Sequence, residues 1–106
     1  MGLDITFKQK RKIIYPDCGK LVDYHEINSV DTGGRAWYHF LEAIGYYVPD
    51  SDNDEWYGKD MILTDEQAHR AYEFARDEEV YNWHKVVGMI TVALCEKDAV
   101  AINADW

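Results

Sequence analysis

The sequence predicts a small α+β domain in which a short antiparallel sheet packs against about three helices. Three observations carry that prediction. Leu3, Ile5 and Phe7 alternate with Asp4, Thr6 and Lys8, the period-two pattern of a half-buried strand. Val80, Trp83, Val87, Ile90 and Leu94 recur at steps of three and four, which places them on one stripe of a helix over Glu79–Lys97. Val100, Ile102, Ala104 and Trp106 alternate again, so the chain ends in a strand that returns to the sheet.

The elements follow in order. After the first strand, Gln9–Lys12 reads as a turn or an exposed continuation, and Ile13-Ile14-Tyr15 resumes a strand-like run. Pro16-Asp17-Cys18-Gly19 is a turn signature, because proline presets φ and glycine accepts unusual values. Lys20–Val30 completes a β-hairpin over residues 11–30. Asp31-Thr32-Gly33-Gly34 is expected to stop the sheet and start a helix, with Asp31 or Thr32 capping the first-turn amides. Trp37, Phe40, Leu41 and Ile44 form the helix stripe, and Gly45 suits its left-handed end. Lys59–Leu63 suggests a short strand. Thr64 and Gln67 form a capping box for a helix through Ala68, Ala71, Tyr72 and Ala75. A break at Asp77-Glu78-Glu79 is expected before the long helix, since three acids suit the positive end of a helix dipole. Val86, Met89 and Ala93 widen the long helix's apolar stripe, and this second face is expected either to pack on the Trp37–Ile44 helix or to meet a second copy of the chain, with Gly88 admitting close approach.

Composition bounds the function. A chain of 106 residues fits one domain, 1–106, with a modest core, and a 47% apolar fraction excludes a disordered chain. No apolar run is long enough to span a bilayer, and the start lacks a secretory layout, so a cytoplasmic protein is expected. Cys18 and Cys95 have no spaced partners, which points to free thiols. The net charge of −9 is unevenly spread: residues 1–20 carry +3, leaving −12 for the other 86. A surface this acidic repels nucleic acid and steers basic partners.

Candidate chemistry is sparse. Asp50, Asp52 and Asp54 match the first ligands of a calcium loop, but Glu55 replaces the required glycine and Met61 the bidentate glutamate. A solvated acidic loop bracketed by Tyr46, Tyr47, Trp56 and Tyr57 is the better reading, and it doubles as a contact surface. His25, His39, His69 and His84 show no ligand spacing with each other or with the cysteines. Asp23 and His25 share a strand face, yet nothing beside them completes a catalytic set. No catalytic residue, metal ligand or cofactor is assigned. Asp31–Arg35 could cradle an anion through Gly33, Gly34 and Arg35, although helix capping explains the same residues. Met1–Thr6 matches an N-myristoylation pattern with basic residues following, but the same residues serve as the first strand.

Met1-Gly2-Leu3-Asp4-Ile5 resembles the opening of many small proteins of bacteriophages, prophages and other mobile elements. Small acidic proteins of that kind resemble anti-CRISPR and anti-restriction inhibitors in size and charge. The resemblance implies a non-enzymatic inhibitor in a host bacterial cell that presents acidic surface to a basic, nucleic-acid-binding defence protein such as a CRISPR effector. The surface expected to make that contact is Asp50, Asp52, Asp54, Glu55, Trp56 and Tyr57, joined by Asp77, Glu78 and Glu79. The alternatives are a nucleotide or small-molecule binder using the Asp31–Arg35 turn, and a self-associating module, a homodimer, built on surplus aromatic surface.

Overall fold

The computed structural model describes residues 3–49 and 55–106. It is an α+β fold: a four-stranded antiparallel sheet and three helices. The elements are β1 (Asp4–Ile14), β2 (Leu21–Gly33), α1 (Trp37–Ala43), β3 (Asp60–Ile62), α2 (Asp65–Glu78), α3 (Trp83–Cys95) and β4 (Ala99–Asp105). Strand order is β2-β1-β4-β3, so the first and last strands pair at the centre.

Alternation sorts the sheet into two faces. Leu3, Ile5 and Phe7, together with Val100, Ile102 and Ala104, point to the helices and are buried. Phe7 lies against Trp37 of α1, which also meets Phe40 and Phe74, so one aromatic cluster joins the sheet, α1 and α2. The opposite face is polar. There Lys8 and Lys10 of β1 reach across β4 to Asp60 of β3, with Nζ–O distances of 3.0 and 2.6 Å. The crossing is possible because β4 presents Ala99 and Ala101 opposite the two lysines, and the lysine stems lie over those small side chains.

Gln9–Lys12 continues β1, so the expected first strand and the first strand of the expected hairpin are one element of 11 residues. The polar run is held in place by partners the sequence places far away. Gln9 Nε2 donates to Asp98 at 2.7 Å, and Arg11 donates to both oxygens of Asp98 and to Glu96. Past Arg11 the β1–β2 ribbon leaves the helices behind and projects as an arm, closed at Tyr15–Lys20 by a turn in which Gly19 has φ 69°. The molecule is accordingly elongated, 47 × 32 × 20 Å.

Two expectations about helix ends are corrected. Asp31 and Thr32 do not cap α1: both remain in β2, where Thr32 pairs with Ile5 and its hydroxyl donates to the Tyr81 carbonyl. The helix starts only at Trp37, after Ala36, with no side-chain cap. The long helix does not reach back to Glu79. Asp77 and Glu78 instead finish α2, and Glu79 closes it in a left-handed conformation, φ 46°. Those acids sit at the negative end of a helix dipole, an unfavourable position that Arg76 relieves by pairing with Asp77 at 3.1 Å. A break does separate the two helices, but it falls over residues 79–82, at and after the last of the three acids. Val86, Met89 and Ala93, the residues expected to widen the stripe of the long helix, are buried inside the domain. With Ile90 they form the most buried line of α3, while Val87 and Leu94 flank it. The capping box of Thr64 and Gln67 is present, Gly45 follows α1 with φ 79°, and β3 and β4 lie where expected.

Candidate partner-binding surfaces

Asp50, Asp52 and Asp54 lie outside the described residues. The part of that loop which is described is built on aromatic packing. Trp56 is half-buried on Tyr46, and Tyr57 is exposed, its ring meeting Trp106 edge-on at 4.8 Å. The Tyr57 hydroxyl donates to the Trp106 carbonyl at 3.2 Å. Tyr46 anchors the group from below: its hydroxyl donates to the Lys59 carbonyl at 2.6 Å and accepts from the Ala104 amide at 2.8 Å. Burial pushes the Tyr46 pKa up, against the lowering effect of its backbone hydrogen bonds to Ala104 and Lys59. Glu55 is exposed beside this cluster.

Asp77, Glu78 and Glu79 are also exposed, and the following link is tied to the sheet edge. Thr32 donates to the Tyr81 carbonyl, and Asn82 Nδ2 donates to the Asp31 carbonyl at 2.8 Å. Thr32, Ile5 and Ala104 form one row across the sheet, while the Gly58 amide donates to the Ala104 carbonyl. Both predicted patches therefore stand at the same end of the sheet, Tyr57 at the β3–β4 side and Glu79 at the β2 side.

Between them the topology adds residues that sequence reasoning missed. Asp4 pairs with Asp105 on one side and Gly33 on the other, and Asp31 is two rows away on the same face, opposite Thr6. Asp4, Asp31 and Asp105 are exposed on the uncovered face, so this end of the molecule carries carboxylates from three strands as well as from both loops. No local pattern reveals this, because the three acids sit 27 or more positions apart and only the pairing of β1 with β2 and β4 brings them together.

The Asp31–Arg35 turn lies in the same region. Gly33 is required there: a Cβ on it would stand 2.6 Å from the Leu3 carbonyl oxygen. The Gly34 amide, in a residue with φ 117°, donates to that same oxygen. Arg35 is exposed and Asp4 and Asp31 line the adjoining open cleft of about 620 Å³, so an anion bound there would face two carboxylates. The basic residues of the N-terminal run are largely consumed inside the fold, Lys8 and Lys10 by Asp60 and Arg11 by Asp98.

Among the described residues no group of three or more His, Cys, Asp and Glu is arranged to hold a metal, and no helix is long and apolar enough to cross a membrane. Cys18 and Cys95 are both free and exposed. No family model matches the chain, and no curated protein or solved structure matches it significantly.

Proposed function

We propose that this small α+β protein acts by binding another protein, presenting the acidic end of its sheet to a basic surface. In its specific form the partner is a host nucleic-acid-targeting defence protein, such as a CRISPR effector, and the chain is a phage-type inhibitor that covers the surface meant for nucleic acid. The observation that supports this reading is the convergence of Glu55, Asp4, Asp105, Asp31, Glu78 and Glu79 on one end of the molecule, next to the exposed ring of Tyr57. Carboxylates in that density raise the encounter rate with a cationic groove, and an aromatic residue among them supplies apolar anchoring. Nucleotides and nucleic acid are the poorer ligands for this surface, since their phosphates meet the same carboxylates.

The test is a plasmid- or phage-interference assay against a panel of CRISPR effectors, run with pull-down of each effector. Wild type is expected to block interference and to retain the effector at low salt, releasing it as salt rises. Glu55→Lys/Glu78→Lys/Glu79→Lys is expected to lose both activities while keeping the wild-type circular dichroism spectrum. Inhibition that survives this triple reversal rules the surface out.

A further inference from the structure

We infer that two copies of this chain associate through β2, pairing antiparallel about a two-fold axis so that each arm lies along the edge of the other copy's sheet. β2 is an outer strand of 13 residues with no proline, and among the described residues no strand pairs with its outer edge. A long open edge of this kind is a template for another strand. The arm it belongs to is also not self-sufficient. Ile13, Ile14, Tyr15, Leu21, Val22 and Ile27 are each between 40% and 56% exposed, on a two-stranded ribbon that no helix covers. Isolated ribbons are marginal in water, and a third strand with apolar contact is what stabilises them.

Charge selects a second copy as the occupant. Residues 11–26 hold three cations (Arg11, Lys12, Lys20) and three carboxylates (Asp17, Asp23, Glu26), so the arm is neutral and the rest of the chain carries the whole −9. The neutral arm is an extended surface on which two acidic copies meet without mutual repulsion, and the pairing leaves the acidic ends pointing apart. A nucleic acid, by contrast, gains nothing from a neutral arm.

Register supports the same arrangement. Val30 and Asn28 face the helix side, as do Asp23 and His25, whereas Ser29 and Tyr24 face the open side; the bulge at Ile27 separates the two sets. A two-fold axis perpendicular to the sheet keeps the faces matched when Val30 meets Asp23 of the second copy, Ser29 meets Tyr24, and Asn28 meets His25. No two carboxylates are then directly opposed. Beside this edge runs a groove of about 390 Å³ between β2 and α3, lined by Asn28, Val30, Lys85, Gly88, Met89 and Val92. Gly88 leaves open space above it, and Lys85 stands where the incoming Asp23 arrives. The two-fold axis makes the arm-to-groove contact occur twice, and the doubling lets so narrow an arm approach the roughly 800 Å² per partner of a stable interface.

Light scattering on the eluting 106-residue chain gives the test. The expected mass is twice 12.4 kDa, about 25 kDa, falling with dilution. Val22→Glu/Ile27→Glu is expected to halve the mass with an unchanged circular dichroism spectrum. Should that variant unfold, the exposed charge pair decides: Asp23→Lys is expected to weaken dimerisation at least tenfold, and Asp23→Lys/Lys85→Asp to restore it. A wild-type chain that stays monomeric at its highest soluble concentration overturns the proposal, as does a dimer that none of these variants weakens. The arm variants leave Glu55, Glu78 and Glu79 in place, so capture of a basic partner by the monomeric variant separates this inference from the proposed function.

Discussion

Replacing Asp60 by Asn probes the ion cluster that ties β3 to the rest of the sheet. β3 is three residues long and pairs only with β4, so its position depends on side chains as well as on its ladder. The Asp60 carboxylate accepts from Lys10 at 2.6 Å and from Asn103 at 2.8 Å, and Lys8 approaches it to 3.0 Å. Burial alone would raise its pKa, but the hydrogen bonds from Lys10, Asn103 and Lys8 outweigh that and lower it from 3.8 to about 2. At about 1.4 kcal/mol per tenfold change in proton affinity, the charged form contributes about 2 kcal/mol, and the side chain is only 24% exposed, so solvent screening removes a minor part. The sign follows from a depressed carboxylate: the contribution is fully present above 3.8 and is lost as pH falls through about 2. Asp60→Asn keeps the shape and removes the charge. Urea denaturation near neutral pH should show wild type more stable by about 2 kcal/mol, with the slope unchanged. The same comparison repeated at falling pH should show the gap closing as Asp60 protonates. A gap that persists below the folded pKa, or no gap near neutrality, refutes the reasoning. Lys8, whose own pKa is raised chiefly by its hydrogen bond to Asp60, contributes its share until pH rises through that raised value.

Other predictions concern single contacts. Gly33→Ala drives a Cβ to 2.6 Å from backbone and should cost about 2–3 kcal/mol, read as a lowered urea midpoint. Thr64→Ala removes the side chain that accepts from the Gln67 amide at 3.1 Å and should cost about 1 kcal/mol by the same measurement. Asp98→Ala strips Gln9 and Arg11 of their shared acceptor and should cost about 2 kcal/mol, with Asp98→Asn costing less because Asn retains an acceptor oxygen. Because Arg11 first, by its hydrogen bond, lowers the Asp98 pKa, the wild-type advantage over Asp98→Asn should shrink as acid protonates the carboxylate.

The local grammar of the chain was legible where each signal was complete within a few residues. Alternation at Leu3–Phe7 and Val100–Ala104 marks the two central strands, and Thr64 with Gln67 announces α2. What misled were residues whose chemistry fits two contexts. Asp31 and Thr32 have the side chains of a helix cap but spend their hydrogen bonds across the sheet, Asp31 accepting from Thr6 and Thr32 donating to Tyr81. The acids at 77–79 suit a helix start by charge, yet the left-handed Glu79 makes them an end. The basic run after Phe7 reads as a surface patch until Asp60 and Asp98 are seen beside it, and both lie 50 or more positions away. The acidic end was half legible, through its two loop segments; Asp4, Asp31 and Asp105 join it only through strand pairing.

The pairing of β1 with β4 also dictates an order of events during synthesis. β1 and β2 are neighbours in sequence and can zip together as soon as the turn at Pro16–Gly19 has been made. The other edge of β1 has no partner until β4 has been translated, some 90 residues later. Throughout that interval Leu3, Ile5 and Phe7 lack the strand that completes their layer, and the helices have only half a sheet on which to settle. Closure is thus a long-range step added to a fast local one, the combination that slows folding and leaves apolar strands open to chaperones or aggregation in the meantime. The central place of β4 makes the strand that follows all the other described elements the one that commits them.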